Sequence, residues 1–234
     1  MIPAYEEGKK IAADIAAAGK FLHKNKMTGE IIVVDDASTD NTTNAAKEAV
    51  DSIPAEINLK VLHYDQHRGK GYAVREGVRE STGLYVMFAD SGGCVPYDNA
   101  LKGLDLIESG LCDIAHGSRK MAESKIVKKQ TFYRRLGSMA FGLLAAFMMG
   151  LPKLTDTQCG FKIYRGDIAR NLYGQCLTDG FMFDLEIIMR ALKQGLRIKE
   201  FAVEWRCDLD SRLKPGRNMK QVISELLAIK RKIK

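Results

Sequence analysis

Aspartates stand directly after two apolar runs of this sequence, where they could bind phosphates through a metal ion or bind a nucleoside. Asp35 and Asp36 follow the β-branched run 30–34, and Asp90 follows the apolar run 84–89. A carboxylate placed like Asp90 can coordinate a hard divalent cation that bridges two phosphates, or it can cap a turn. Asp35 and Asp36 could accept hydrogen bonds from a base or a ribose, or form an acid pair of the kind favoured at a helix N-terminus.

A glycine-rich segment with one lysine, Gly69-Lys70-Gly71, separates an apolar run from a helical pattern. Glycines let a backbone approach a phosphate closely, and a lysine adds positive charge there. The spacing fits neither the Walker A pattern nor the dinucleotide-binding GxGxxG pattern. The segment alone therefore indicates either a phosphate-binding loop or an ordinary turn between a strand and a helix.

Acidic residues of the second half stand in apolar surroundings. Asp156 lies in the segment DTQCGF, and Asp184 and Glu186 lie on a largely apolar helical pattern. An acid on a buried helix face is costly unless it is paired. We therefore predict that at least one of Asp184 and Glu186 is buried with a partner. Arg212 and Lys214 follow a strand pattern, and they could hold a diphosphate or lie on a solvated surface.

The elements that must position these residues can be predicted from hydrophobic periodicity. Strand-like apolar runs alternate with helical patterns over residues 1–120. This alternation predicts an α/β fold in which a mostly parallel sheet has helices on both faces. Ligands of such sheets bind beyond the carboxyl ends of the strands. We therefore expect Asp35, Asp36 and Asp90 to meet at one edge of the sheet.

The second half of the chain is less regular, and no internal repeat or linker divides it from the first. We therefore predict a single domain over residues 1–234 that ends in a basic helix. The longest apolar run, 139–151, is too short to span a bilayer. It predicts either a buried core helix or a helix that lies at a membrane interface.

Composition excludes several classes of protein and indicates an anionic partner. Of 234 residues, 46% are hydrophobic and 28% charged, which is typical of a folded protein and not of a disordered one. Lysine and arginine exceed aspartate and glutamate by 36 to 29, a net charge of +7. The basic residues do not interleave with aromatic ones, so we expect no nucleic-acid partner. Five cysteines without a CxxC pair, and no visible signal peptide, predict a cytoplasmic protein.

Eight motifs, taken in order, resemble the family 2 glycosyltransferases of the GT-A fold. Within that family they resemble the branch of dolichyl-phosphate glucosyltransferases and polyprenyl-phosphate sugar transferases. The motifs are IPAYEE (2–7), VVDDASTDNT (33–42), HRGKGYAVREG (67–77), YVMFADSGG (85–93), GSRK (117–120), DTQCGFKIYR (156–165), GFMFDLEIIMRA (180–191) and EWRCDLDSRLKP (204–215). The resemblance implies a Rossmann-like sheet, with a nucleotide-sugar-binding half (1–120) and a C-terminal acceptor-side extension (121–234).

The resemblance also implies roles for individual residues. Those expected to bind the nucleotide sugar are Pro3, Ala4, Tyr5, Glu6, Asp35, Asp36, Lys70, Asp90, Arg212 and Lys214. The catalytic group would consist of Asp156 as active-site acid, with Arg119 and Arg134 facing the acceptor phosphate. Asp90 matches the first acid of the family's DxD motif and would bind Mg²⁺ or Mn²⁺. Because Gly92 replaces the second acid, a weaker metal site, a different ligand and lost activity all stay open.

The implied reaction is the inverting transfer of a hexose, glucose from UDP-glucose, to a polyprenyl or dolichyl lipid phosphate. An ionised phosphate acceptor needs no general base, whereas a hydroxyl acceptor would need Asp156 or a neighbour as base. The implied partners are the nucleotide sugar, the lipid phosphate and the cytoplasmic membrane surface, met peripherally through residues 132–151. The alternatives are a hydroxyl acceptor, GDP-mannose as donor, and a catalytically impaired protein that binds a nucleotide sugar.

Overall fold

The structure is a computed structural model that describes residues 1–128, 154–207 and 219–233. The strands are β1 (Ile2–Ala4), β2 (Glu30–Asp35), β3 (Asn58–His63), β4 (Tyr85–Ala89), β5 (Ile114–Ser118), β6 (Lys125–Lys128), β7 (Phe161–Arg165), β8 (Ile198–Ala202) and β9 (Glu204–Arg206). The helices are α1 (Ile11–Lys24), α2 (Thr42–Glu48), α3 (Lys70–Arg79), α4 (Ala100–Glu108), α5 (Gly166–Gly174), α6 (Phe183–Lys193) and α7 (Met219–Lys232). Short 3₁₀ turns follow α2 and precede α4.

Two sheets meet edge to edge and form the central layer. Strands β1, β2 and β3 are parallel neighbours, and a second sheet has the order β4-β7-β5-β8. The Met1 nitrogen donates to the Met87 carbonyl at 2.6 Å, and the Ala89 N–H donates to the Met1 carbonyl at 3.1 Å. These bonds place β1 beside β4. The carboxyl ends of β1, β2 and β4 therefore lie at one edge, as the alternation of elements predicts.

Strand β2 shows why helices cover both faces of the sheet. Its residues are buried on both sides, as in other parallel sheets. Ile31 and Val33 belong to a core cluster with Ile15 of α1, whereas Ile32 and Val34 pack in a separate cluster with Ala73 of α3. Because successive side chains of a strand point to opposite faces, α1 and α3 cover opposite faces. The predicted α/β fold with a sheet between helices is confirmed.

In its described residues, the second half of the chain adds the antiparallel strand β7, the parallel strand β8 and helices α5, α6 and α7 to this scaffold. Strand β7 lies between β4 and β5 and runs antiparallel to both. Helices α5 and α6 join the face covered by α3, where Leu172 and Phe183 pack in one cluster with Val74 and Val78. Helix α7 packs on the far side of α6. In the described ranges, no helix combines the length and the apolar character that crossing a membrane requires.

Candidate active site

The segments after β1 and β2 are tied together by side-chain hydrogen bonds. The Glu6 N–H donates to Ser38 Oγ at 2.8 Å, and the Glu6 carboxylate accepts the Thr39 N–H at 2.7 Å. Glu6 has a positive φ of 56°, which non-glycine residues rarely adopt, so these bonds stabilise an uncommon conformation. The ring of Tyr5 lies 4.3 Å from the ring of His67. Pro3 and Ala4 in β1 thus lead into a loop that the β2 end holds in place.

Asp36 holds the glycine-rich loop at the start of α3. Its carboxylate accepts the N–H groups of Arg68 at 2.7 Å and Gly69 at 2.8 Å, and His67 Nδ1 lies 3.0 Å from Oδ2. Gly69 has a φ of 108°, a conformation that favours glycine. The adjacent Asp35 is fully buried, and it accepts hydrogen bonds from the Ser38 N–H and the Thr43 hydroxyl. Both acids therefore organise the loops that surround the predicted nucleotide position.

The same glycine loop packs from its other side against the segment 176–180. A Cβ on Gly71 would lie 2.4 Å from the Thr178 carbonyl oxygen, so only glycine permits this approach. The Tyr72 N–H donates to the Asp179 carbonyl at 3.2 Å. Arg75 binds the Asp179 carboxylate at 2.5 Å and the Cys176 carbonyl at 2.9 Å. The second half of the chain therefore supports the loop that carries Lys70.

Glu186 on α6 fixes that supporting segment. Its carboxylate accepts the N–H groups of Leu177 and Thr178 at 2.8–3.1 Å, and it pairs with Arg190 at 2.6 Å. Burial would raise the pKa of Glu186, but these hydrogen bonds hold it below its usual value. Glu186 and Asp184 are both buried, which confirms the prediction that at least one of them is.

Lys70 meets Asp90 in front of the β4 carboxyl end. The Lys70 Nζ atom lies 2.6 Å from Asp90 Oδ1 and 5.3 Å from the ring centroid of Phe88. Burial alone would lower the pKa of Lys70, but the negative charges of Asp90 and Asp184 outweigh it and raise that pKa. Lys70 is therefore a cation at neutral pH, and the ion pair joins the glycine loop to the end of β4.

Asp90 in turn rests on the backbone of the DTQCGF segment. Its N–H donates to the Gly160 carbonyl at 2.8 Å. A Cβ built on Gly160 would lie 2.1 Å from the Asp90 carboxyl carbon, closer than real atoms come. The glycine of this segment therefore makes room for the Asp90 carboxylate, which is a structural reason for its place four residues after Asp156.

This contact predicts the effect of one small substitution. We expect Gly160→Ala to weaken the binding of UDP with Mn²⁺ by about tenfold or more, because the added methyl must displace the Asp90 carboxylate. Isothermal titration calorimetry measures this change. Gly174→Ala is the matched control, since no atom lies within 4 Å of its added Cβ. Equal affinities for Gly160→Ala and the wild type would contradict the role given to Gly160.

Asp156 and Arg119 form a bidentate ion pair close to Asp90. Arg119 Nε lies 2.6 Å from Oδ2 and Nη2 lies 2.7 Å from Oδ1, and the Arg119 N–H also donates to Oδ2 at 2.9 Å. Burial would raise the pKa of Asp156, yet the hydrogen bonds and charge of Arg119 hold it below its usual value. The Arg119 guanidinium lies over the ring of Trp205 at 5.4 Å. Asp156, 2% exposed, is therefore a fixed anion.

A second, fully buried ion pair lies beneath Lys70. Lys162 of β7 and Asp184 of α6 form a salt bridge, and the Lys162 ammonium also donates to the Thr157 carbonyl at 3.1 Å. Burial raises the pKa of Asp184, while the charges of Lys162 and Lys70 act against that rise. The pair therefore links the DTQCGF segment to α6, and the Asp184 charge also acts on Lys70 of the glycine loop.

The residues present fit a divalent cation in a one-carboxylate arrangement. In the part of the chain that the structure describes, no cluster of three or more His, Cys, Asp or Glu side chains could hold a metal. Asp90 offers a single carboxylate in a space that Gly160 leaves open. Mg²⁺ commonly takes one or two carboxylates, keeps several waters and binds substrate phosphates, so Asp90 suffices when a diphosphate supplies the other oxygens.

The structure brings the predicted residues of the described ranges into one connected group. Asp36 binds Gly69, Lys70 binds Asp90, and Asp90 packs on Gly160 next to the Asp156–Arg119 pair. Three predicted residues, Arg134, Arg212 and Lys214, lie outside the described residues, as does the segment 132–151, which contains the apolar run 139–151. The individual roles of all these residues stay predictions.

Three residues that contact the predicted site residues or the loop after Asp90 were not predicted from the sequence. Gly160 and Trp205 lie within recognised motifs, but no local signal showed that they contact Asp90 and Arg119. Asp14 was missed although a signal existed, because it interrupts the apolar face that Ile11, Ile15 and Ala18 form on α1. An acid on such a face indicates a buried hydrogen-bonding partner.

Comparison with known sequences identifies relatives over most of the chain. Residues 1–172 match the family described as glycosyl transferase family 2. The dolichyl-phosphate beta-glucosyltransferase of Dictyostelium discoideum is 30% identical over an alignment of 239 positions, which covers 98% of this chain and 72% of that protein. The protein of the same name from Saccharomyces cerevisiae is 32% identical over 219 residues, covering 88% of this chain and 65% of that protein.

Comparison with solved structures gives a similar fold at low sequence identity. Glucosyl-3-phosphoglycerate synthase from Mycobacterium tuberculosis superposes with a TM-score of 0.72 at 21% identity, covering 97% of this chain and 78% of that one. The same synthase in complex with Mn²⁺ and uridine-diphosphate-glucose gives a TM-score of 0.70 at 20% identity, with coverage of 97% and 77%. Likeness at this level of identity shows the fold alone.

Proposed function

Because this chain belongs to glycosyl transferase family 2, we propose that it transfers glucose from UDP-glucose to a polyprenyl or dolichyl-type lipid phosphate. The chain is a glycosyltransferase with the GT-A fold, and this confirms the resemblance seen in the sequence. Its relatives are named dolichyl-phosphate beta-glucosyltransferases, which supports glucose and the lipid phosphate. The synthase of similar fold was solved with Mn²⁺ and UDP-glucose, which supports the donor.

The proposed reaction is a single displacement at the anomeric carbon. An oxygen of the acceptor phosphate forms a bond to that carbon while the bond from the carbon to the UDP oxygen breaks, and the configuration inverts. The electron pair of the broken bond leaves with UDP. A phosphate monoester is largely ionised near neutral pH, so its attacking oxygen has no proton to lose. The reaction balances without a general base.

The observation that carries this proposal is the state of Asp156. A general base works best with a pKa near the working pH and with an oxygen available to the proton. Both oxygens of Asp156 bind Arg119, and its pKa lies below the usual value. Asp156 is thus a poor proton acceptor. An acceptor that arrives as an anion therefore suits this site better than a hydroxyl, which would need a base.

The departing diphosphate is stabilised by charges at the β4 end. Lys70, held as a cation between Asp90 and the glycine loop, lies where negative charge develops. A divalent cation held by Asp90 would supply Lewis-acid stabilisation of the same oxygens. Asp36 keeps the loop in position through the backbone of Arg68 and Gly69, so the loop needs little rearrangement as the bond breaks.

The acceptor also implies where the enzyme works. A polyprenyl phosphate resides in a membrane, and the proposed contact is peripheral, through residues 132–151 at the cytoplasmic surface. Strand β6, which precedes this run, exposes Ile126 and Val127 beside the exposed Lys125. Apolar side chains next to basic ones suit the surface of an anionic membrane.

An assay that combines two donors with two acceptors tests the proposal. The protein is incubated with Mn²⁺ or Mg²⁺ and radiolabelled UDP-glucose or GDP-mannose, in liposomes that contain either a polyprenyl phosphate or the corresponding polyprenol. We expect a labelled lipid from UDP-glucose and the phosphate only. The expected β-linkage of the product is read from its anomeric coupling constant in NMR.

Each other outcome overturns a stated part of the proposal. Product from polyprenol would mean that the enzyme uses a hydroxyl acceptor and a base. Product from GDP-mannose in place of UDP-glucose would reassign the donor. UDP-glucose binding by calorimetry without product on either acceptor would favour a catalytically impaired binding protein, the alternative that Gly92 raises.

A further inference from the structure

The buried carboxylate of Asp14 binds the loop that follows Asp90. Asp14 lies on α1, far from this loop in sequence, and is 4% exposed. Its Oδ2 accepts the Gly92 N–H at 2.6 Å. Hydrogen bonds from backbone N–H groups to a charged acceptor are among the stronger ones in proteins. One side chain of α1 therefore anchors the loop two residues after Asp90.

The loop has a backbone conformation that needs such an anchor. Gly92 has a φ of 90° and Gly93 a φ of 61°, so two successive residues adopt left-handed conformations. The Gly92 N–H of this turn binds the Asp14 carboxylate, so the anion that it meets is part of the protein. The loop thus closes onto α1 immediately after the residue that meets Lys70.

The contact between Asp14 and Gly92 bears on function because of the residue type at position 92. Gly92 stands where the DxD pattern has its second acid, so the loop lacks that side chain, while a carboxylate reaches it from α1 instead. We propose that Asp14 is a positioning residue, which holds the loop 90–93 so that Asp90 faces the donor diphosphate. This inference rests on the proposed function, because it concerns the same donor site.

Burial of the ionised Asp14 carboxylate costs free energy, which its hydrogen bond with Gly92 offsets only in part. Burial raises the pKa of Asp14 from 3.8 to about 6, although the hydrogen bond from Gly92 lowers it. An acid whose pKa rises on folding adds stability when it is protonated, and this contribution is lost as the pH rises through about 6. At neutral pH the ionised Asp14 therefore lowers the free energy of unfolding. Nearby Glu7 raises and Lys10 lowers the same pKa, and both effects are smaller than that of burial.

Two variants separate positioning from stabilisation. Asp14→Asn keeps the shape of the side chain without its charge, and Asp14→Leu removes all acceptors at similar size. At neutral pH we expect Asp14→Asn, which keeps an oxygen acceptor for the Gly92 N–H, to have a Tm close to that of the wild type. Asp14→Leu leaves this N–H unpaired and should have a somewhat lower Tm. We expect the Kd for UDP with Mn²⁺, measured by calorimetry, to rise about tenfold in Asp14→Asn and further in Asp14→Leu.

Amide hydrogen exchange provides a readout that needs no nucleotide. Protection of the Gly92 N–H group should fall in both variants and persist in Asp105→Asn, a control that removes an exposed acid from α4. Unchanged protection and Kd in the Asp14 variants would overturn the inference, as would a Tm of Asp14→Asn low enough to account for its loss of binding. If the wild type itself does not bind UDP with Mn²⁺, the proposed function fails first.

Discussion

Asp90→Asn should lower kcat for sugar transfer by roughly 100- to 1000-fold, the range seen when one preorganised charge-stabilising group is removed from an active site. Asparagine keeps the shape of the side chain, so Gly160 still accommodates it. The substitution removes the only carboxylate proposed to hold the cation, and it leaves Lys70 without its ion-pair partner. Both effects weaken stabilisation of the departing diphosphate.

The metal dependence of the rate distinguishes this role from a structural one. The wild-type rate should rise with Mn²⁺ concentration and saturate, whereas the residual rate of Asp90→Asn should be nearly independent of Mn²⁺. Asp167→Asn is the control, because Asp167 is an exposed acid that pairs with Arg165 at the surface of α5. Wild-type activity with normal Mn²⁺ saturation in Asp90→Asn would remove Asp90 from the site.

Much of this scaffold is predictable because its signals are local. Residues 31–34 alternate between two core clusters, and α1 shows helical spacing of its apolar residues. Both patterns can be read from residues that are close together in the sequence. The prediction that the carboxyl ends of β2 and β4 lie at one edge is therefore confirmed. Nothing local in the sequence predicts that strand β7 lies antiparallel between β4 and β5.

The contacts of the site were harder to predict because they join distant segments. Lys70 and Asp90, or Asp90 and Gly160, are far apart in sequence, and no spacing rule links them. The opposite charges of Arg119 and Asp156 do not by themselves predict that Arg119 binds both oxygens of Asp156. Asp14 is the exception, because an acid on an apolar helix face is a local signal that sequence reasoning can detect.

The Asp156–Arg119 pair makes a second strong prediction, which also discriminates between acceptors. Asp156→Asn leaves Arg119 beside a neutral amide, and breaking a buried ion pair typically costs about 3–5 kcal/mol of stability. We expect a lower Tm, a kcat reduced by roughly 100-fold or more because Arg119 loses its position, and a nearly unchanged Kd for UDP. Calorimetry and steady-state kinetics with a polyprenyl phosphate measure these quantities.

The pH dependence of stability follows from the direction of the pKa shift. The pKa of Asp156 is lower in the folded protein than the 3.8 of an unperturbed aspartate. Its contribution to stability is therefore complete well above that value, and it is lost as the pH falls through the folded pKa. The Tm difference between wild type and Asp156→Asn should be constant from neutral pH to mildly acidic pH and shrink only in stronger acid.

A double-mutant cycle decides whether Asp156 acts through Arg119 or by itself. If Asp156 only positions Arg119, the double variant Asp156→Asn/Arg119→Met should lose about as much kcat as Arg119→Met alone, because residues that act as a unit are not additive. A base role predicts something different: a kcat–pH limb near neutrality in the wild type, absent from Asp156→Asn. Such a limb would make Asp156 a proton acceptor. It would also favour a hydroxyl acceptor over the lipid phosphate, so this experiment tests the reaction as well as the residue.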